Sequence, residues 1–423
     1  MRLLVSGFVA VAAGCGARIN EAGPDAAPAV DASIAPVEGW LPCAVQGAMC
    51  TFERAQDASV QVRYGKRPDD GGINTTQVFD GVKGVLCDNA TFGGNPNPTA
   101  WETNFCWYWG PLKLSEPVNT FMRPEIHLPV TYPAFPGFTT DRVKPTTAQP
   151  TADGTIGAFR VTCGFSHFSF DDPVVFPNQP GKSHLHTYFG NTTVDASTTP
   201  TAIGATGSST CAGGTLNHSG YWVPAMIDTA THQPIPSTVN NVYYKSGYNG
   251  IAPSAIHPVP EGLVMISGSG ANTLPGVNPV RYSCLSATEA GAWQATIPSC
   301  PGGSELLMEV TFPQCWDGVH LDSADHKSHM ASPRSGACPT THPIAIPVVS
   351  YNIHYDVPTD GATLAWALSS DDYDTSGGNA GNSGHGDYVY GWDRSTIETF
   401  TTRCINAAMD CHDYLLGDGR TLY

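Results

Sequence analysis

The chain has 423 residues, a formal net charge of −17, only 20 Lys and Arg against 37 Asp and Glu, and 13% charged residues. So acidic and lysine-poor a chain is unsuited to nucleic acid, whose phosphates demand basic surface. Its length suits two or three domains with ample core.

Residues 1–14 carry an early Arg2 and an apolar run too short to span a bilayer, ending in Ala12, Ala13 and Gly14 just before Cys15. The pattern resembles a bacterial lipobox, so residues 1–15 read as a lipoprotein signal peptide with Cys15 as the lipidated residue. Gly16 follows instead of an aspartate, which points to the outer membrane, with the lipid anchor as the chain's only membrane contact. Thirteen cysteines less Cys15 leave twelve, an even number that fits up to six disulfides in an oxidising compartment.

Residues 16–38 are Ala, Pro, Asp and Gly with no aromatic, a composition that cannot pack a core and reads as a disordered tether. Residues 39–113 hold Cys43, Cys50, Cys87 and Cys106 and alternate apolar with polar positions, as in Val60, Val62 and Tyr64. That period predicts a small β-module. Its Phe105, Trp107, Tyr108 and Trp109 offer flat faces for sugar rings or a core for the module. Residues 114–156, rich in Pro and Thr, read as a connector. Residues 157–423 show short β-type segments punctuated by Gly and Pro and no long helical period. The expected fold is therefore mainly β: a disulfide-stapled module, then a large β-sandwich or barrel-like domain with long loops.

Titratable residues of the large domain fall into three islands. The first holds Asp171, Asp172, His184 and His186. The second runs from Trp316 through Asp317, Asp322, Asp325, His326 and Lys327 to His329. The third holds His385, Asp387, Trp392 and Asp393. On a strand, His184 and His186 would share one face, as a metal pair, as hydrogen-bonding groups that orient carboxylates or sugar hydroxyls, or as buried structural histidines. Glycoside hydrolysis needs two carboxyl groups, one protonated and one ionised. Asp322 paired with Asp387 or Asp171 is the expected pair, with Asp317, His184, His186 and His385 around it. Tyr221, Trp222, Trp316 and Trp392 are expected to line a groove with His326 and His329. The alternative role for these aspartates is capping turns or binding calcium.

The order of these islands across residues 159–393 resembles a large family of secreted proteins, a domain of unknown function that occurs in fungi beside WSC modules and also in bacteria. Some bacterial relatives look like β-glucanases that attack fungal walls. Residues 60–93 resemble a β-module appended to secreted carbohydrate-active proteins. The resemblance implies a cell-surface glycoside hydrolase whose partner is β-glucan, with β-1,6-linked wall glucan as a suggested substrate and no cofactor required. Two other readings stay open. One is a non-catalytic glycan-binding or adhesion lipoprotein. The other is a metal-dependent polysaccharide-active enzyme using His184 and His186 with His329 or His385. No G-x-S-x-G elbow or phosphate-cradling loop occurs.

Overall fold

The computed structural model describes residues 38–111 apart from 47–48, 52–58, 66–73, 81, 83 and 97–103. It also describes residues 132–423 apart from 133, 153, 248, 273, 287–288 and 372–379. The expected signal peptide, the lipidated Cys15, nearly all of the tether and much of the connector lie outside the described residues. No described helix is long and apolar enough to cross a membrane.

The chain is mainly β, with 38% strand and 7% helix. In the small module a four-stranded antiparallel sheet runs in the order Glu38–Val45, Phe105–Pro111, Val60–Gly65, Asn74–Phe79. Val60, Val62 and Tyr64 point inward to join Cys50, Cys87, Phe92 and Cys106, as their alternation predicts. Cys87 is bonded to Cys106. Trp107 is buried, so it belongs to the interior and not to a sugar-stacking face. The side chains of Phe105 and Trp109 lie outside the described residues.

The large domain is a sandwich-like arrangement of several sheets. At the centre of its eight-stranded sheet, Glu305–Thr311, Val348–Asp356, Val239–Lys245 and Ala158–Cys163 pair antiparallel in that order. A five-stranded antiparallel sheet runs in the order Phe165–Ser169, His186–Gly190, Gly220–Pro224, His385–Val389, Val264–Gly268. Phe189, Tyr221, Val223, Met265 and Tyr388 from this second sheet share one core with Val161, Val242, Val310 and Tyr351 from the first. The Tyr351 ring meets Phe189 and Tyr221 edge-on, at 5.3 and 5.5 Å between centroids, a favoured geometry for aromatic pairs.

Residues alternate faces along a strand, so Tyr188, Trp222, Asp387 and Val389 stand on the opposite side of the five-stranded sheet. That side is also covered. Tyr188, Trp222, Val264, Ile266 and Val389 pack with Val174, Val194 and Ile203 from overlying loops. Disulfides fix the long connections: Cys163–Cys211, Cys284–Cys300, Cys315–Cys338 and Cys404–Cys411. Cys50 is disulfide-bonded as well, in line with the expected pairing.

Two outcomes follow from this second, loop-covered layer. Trp222 is fully buried and stacked on Tyr188 at 5.3 Å, so Trp222→Ala is expected to lower the unfolding free energy by about 3–5 kcal/mol; urea denaturation showing unchanged stability would contradict this packing. His167 stacks on the other side of the layer, with its ring 4.7 Å from Tyr188, Nε2 donating to the Val194 carbonyl and Nδ1 bonded to Ser166 Oγ. Burial holds this imidazole below its ordinary value of 6.5. The unfolded chain therefore takes up a proton first as pH falls, so stability from His167 is present above about pH 6.5 and is lost on acidification through the lower folded value. His167→Gln should flatten the decline in urea midpoint between about pH 7 and pH 5, and parallel curves for the two proteins would exclude a contribution from His167.

Candidate functional site

The strand His385–Val389 builds the site. Gly386 and Tyr388 face the sandwich core, where a Cβ placed on Gly386 would stand 3.0 Å from Val310 Cγ1. His385 and Asp387 must therefore point to the other face. Two strands away, His186 projects from the same face, and Leu185, buried among Phe165, Phe168 and Ile227, turns His184 back toward it. The three imidazoles meet there. Ring centroids of His184 and His186 are 4.2 Å apart, those of His184 and His385 5.0 Å, and those of His186 and His385 6.0 Å. Gly270 lies over them: a Cβ there would come within 3.1 Å of the His385 ring and 3.5 Å of the His184 ring.

Beneath the imidazoles sit two carboxyl groups, Asp387 and Asp172. One donor atom each from His184, His186 and His385 lies within 4.8 Å of the others, and so does a second set from Asp172, His186 and Asp387. These are the residues suited to hold a cation. Asp172 is 3% exposed and Asp387 1%. Burial, and then the charge of Asp172, pushes Asp387 well above the usual carboxylate range, while Lys327 works against the shift. Asp172 is also raised by burial, opposed by the backbone N–H groups of Val174 and Val175, which both donate to its Oδ1 at 2.9 Å. Neither carboxylate oxygen of Asp387 has a hydrogen-bond partner among the described residues, an omission that ordinarily costs about 1–3 kcal/mol or more for a buried group. Burial pushes the His186 imidazole down to about 4, and burial together with repulsion from His186 takes His385 to about 3.

The second island reaches this cluster from the side. Lys327 Nζ donates to the Gly268 carbonyl and is close enough to act on Asp387 and His385. His326, whose Nδ1 bonds both oxygens of Asp322 at 2.9 and 3.0 Å, is raised chiefly by that bond and feels Asp172 as well. All three islands thus converge on one place, and His184, His326 and Lys327 stand at its part-exposed edge.

Several expected roles are corrected. Tyr221 and Trp392 are buried in the sandwich core, bonded through Tyr244 at 3.0 and 2.8 Å, and Trp222 lies under the covering loops. None of the three can line a groove. Trp316 packs against the same core and donates Nε1 to the His320 carbonyl at 2.6 Å. His329 uses both ring nitrogens, on Ser323 Oγ and the Val264 carbonyl, to pin its loop to the sheet, so it can take part neither in substrate binding nor in a metal set. Asp171 has its carboxylate on the backbone N–H groups of Gly181 and Ala196; its neighbour Asp172 takes the place expected for it. Asp317 closes a turn by accepting from the N–H groups of Val319 and His320 and from His320 Nδ1; despite partial burial, those bonds hold it down to about 2. Asp322 engages His326 at the edge and does not pair with Asp387.

Sequence reasoning missed Asp172 and Lys327. Lys327 had a legible signal as the single cation of the second island, but choosing between Asp171 and Asp172 required the backbone. No curated protein and no solved structure matches the chain. A family described as a domain of unknown function (DUF1996) matches residues 172–392, from the first carboxylate of the cluster to the tryptophan of the third island. Because that match covers more than half of the 423 residues, the chain belongs to the DUF1996 family.

Proposed function

We propose that this chain is a cell-surface glycoside hydrolase that cleaves β-glucan from the Asp172–Asp387 pair, held outside the cytoplasm by a lipid on Cys15. The observation that carries the reading is the meeting of two buried carboxyl groups with titratable side chains from three separated segments. Hydrolysis of a glycosidic bond asks for one carboxyl group that is protonated and one that is ionised. Asp387, without hydrogen-bond partners among the described residues, suits the proton donor. Asp172, with two backbone N–H groups on one oxygen, suits the carboxylate.

In the first step Asp387 gives its proton to the leaving glycosidic oxygen as the C1–O bond breaks, and an Asp172 oxygen bonds C1. Water then attacks C1, returns its proton to Asp387 and releases Asp172. The carboxylate oxygens lie within 4.8 Å of each other, nearer the roughly 5–5.5 Å of retaining enzymes than the roughly 6.5–9.5 Å that accommodates an inverting water. Asp172 and Asp387 are buried, so in this reading the substrate reaches them only as the covering loops give way at the part-exposed edge formed by His184, His326 and Lys327. The small amino-terminal module serves adhesion in this reading.

The full chain, purified in mild detergent, is expected to release reducing sugar from at least one of a panel of defined β-1,3-, β-1,4- and β-1,6-glucans. Asp387→Asn and Asp172→Asn should each lower release by a factor of about 100 or more, whereas Asp317→Asn, in a turn away from the pair, should retain it. Retention of the protein on insoluble glucan with no soluble product from any substrate would replace the hydrolase by a glycan-binding lipoprotein. Proton NMR of the first product should show the anomeric configuration of the substrate, and the inverted anomer would remove the nucleophile role of Asp172.

A further inference from the structure

The imidazoles of the cluster carry an arrangement that acid–base work by two carboxyl groups does not require. His186 Nδ1 lies 3.0 Å from the Asp171 carbonyl and His385 Nδ1 lies 2.8 Å from the Ser383 carbonyl. A carbonyl only accepts, so both rings carry their hydrogen on Nδ1 and keep Nε2 as a lone pair. This is the backbone support typical of metal-ligating histidines, in which the far nitrogen is anchored and the near one is aimed. His186 is completely buried, and its Nε2 has no hydrogen-bond partner among the described residues; the same is true of both carboxylate oxygens of the buried Asp387. An imidazole lone pair left unanswered in a dry interior calls for a cation.

From this geometry we infer that His184, His186 and His385 bind one divalent transition-metal ion of the zinc class. Their donor atoms lie within 4.8 Å of one another. A tetrahedral ion at about 2.0–2.1 Å from nitrogen spaces its ligands about 3.4 Å apart, so rotamer adjustments of roughly 1 Å close the set. Three neutral imidazoles select zinc, copper or nickel over magnesium and calcium, which prefer all-oxygen shells. His184 is the part-exposed member of the set, so an open position of the ion would reach the substrate side past it. There the ion grips a sugar hydroxyl beside the carboxyl pair, a use that rests on the hydrolase reading; the binding of the ion does not.

The test uses the full, tag-free chain, freed of metal with a chelator that is then removed, and titrated with zinc chloride in a calorimeter. One ion per chain is expected, with a dissociation constant at or below about 1 µM, and no heat from calcium or magnesium. Cobalt(II) should give the visible absorption bands of a nitrogen-rich tetrahedral site. His184→Ala, at the part-exposed edge, and His385→Ala should each weaken zinc at least tenfold, while Asp317→Asn leaves it unchanged; far-UV circular dichroism identifies any variant that fails to fold, and the cobalt spectrum of the unaltered chain stands without variants. Absence of binding up to about 1 mM zinc overturns the proposal. So does a zinc affinity that both histidine variants, shown to be folded, leave intact. Stoichiometric zinc with no glucan released supports the ion site while removing the hydrolase, and glucan release by a chain that binds no zinc overturns the ion alone.

Discussion

Everything at this site depends on the strand His385–Val389 having two buried faces. Gly386 and Tyr388 are committed to the sandwich core by contact with Val310 and the neighbouring aromatic rings. The twofold period then leaves His385 and Asp387 no direction except the opposite side. In most antiparallel sheets that side meets water. Here the loops bearing Val174, Val194 and Ile203 cover it, so an imidazole and a carboxyl group that would be well hydrated on an open sheet are enclosed. Their proton affinities move in opposite directions, the histidine down and the aspartate up, as burial requires when each favours its neutral form.

The same double coverage explains what could be read beforehand. The β class, the presence of disulfides and the inward positions of the small module follow from period and cysteine count, which report local pattern and leave the connectivity open. The gathering of His184, His186 and His385 was legible as islands of titratable residues, because such density is seldom left in separate places. The aromatic groove was not there to be read. Alternation tells a buried face from a solvated one only when one face is solvated; with both sides of the sheet covered, Tyr221 and Trp222 occupy opposite faces and are equally buried. Proximity in sequence to histidine and aspartate therefore placed them near the cluster without placing them in contact with solvent.

Adjacent residues made the other difficulty. Asp171 and Asp172 are chemically identical, and only the course of the chain decides which one turns inward. Asp171 spends its carboxylate on two backbone N–H groups and its carbonyl on His186 and Tyr188, making it the scaffold on which its neighbour is presented. In the second island most of the polar density goes into turns: Asp317, Asp325 and His329 all satisfy local backbone or hydroxyl groups. Such self-bonding side chains are the usual way an irregular segment meets its hydrogen-bond needs. A cluster of acids in a loop thus reports first on the loop.

That second island has a property of practical weight. It is stapled at its base by Cys315–Cys338, closed by the Asp317 turn, and riveted to the sheet by His329, yet Val319 between those fixtures is 73% exposed. The backbone of that tip helps to close the turn, but the segment holds its shape without help from the Val319 side chain. The tip is consequently a natural attachment point: a fluorophore carried on a Val319→Cys side chain would leave in place the backbone N–H that closes the Asp317 turn, while the ammonium of Lys327 kept its station.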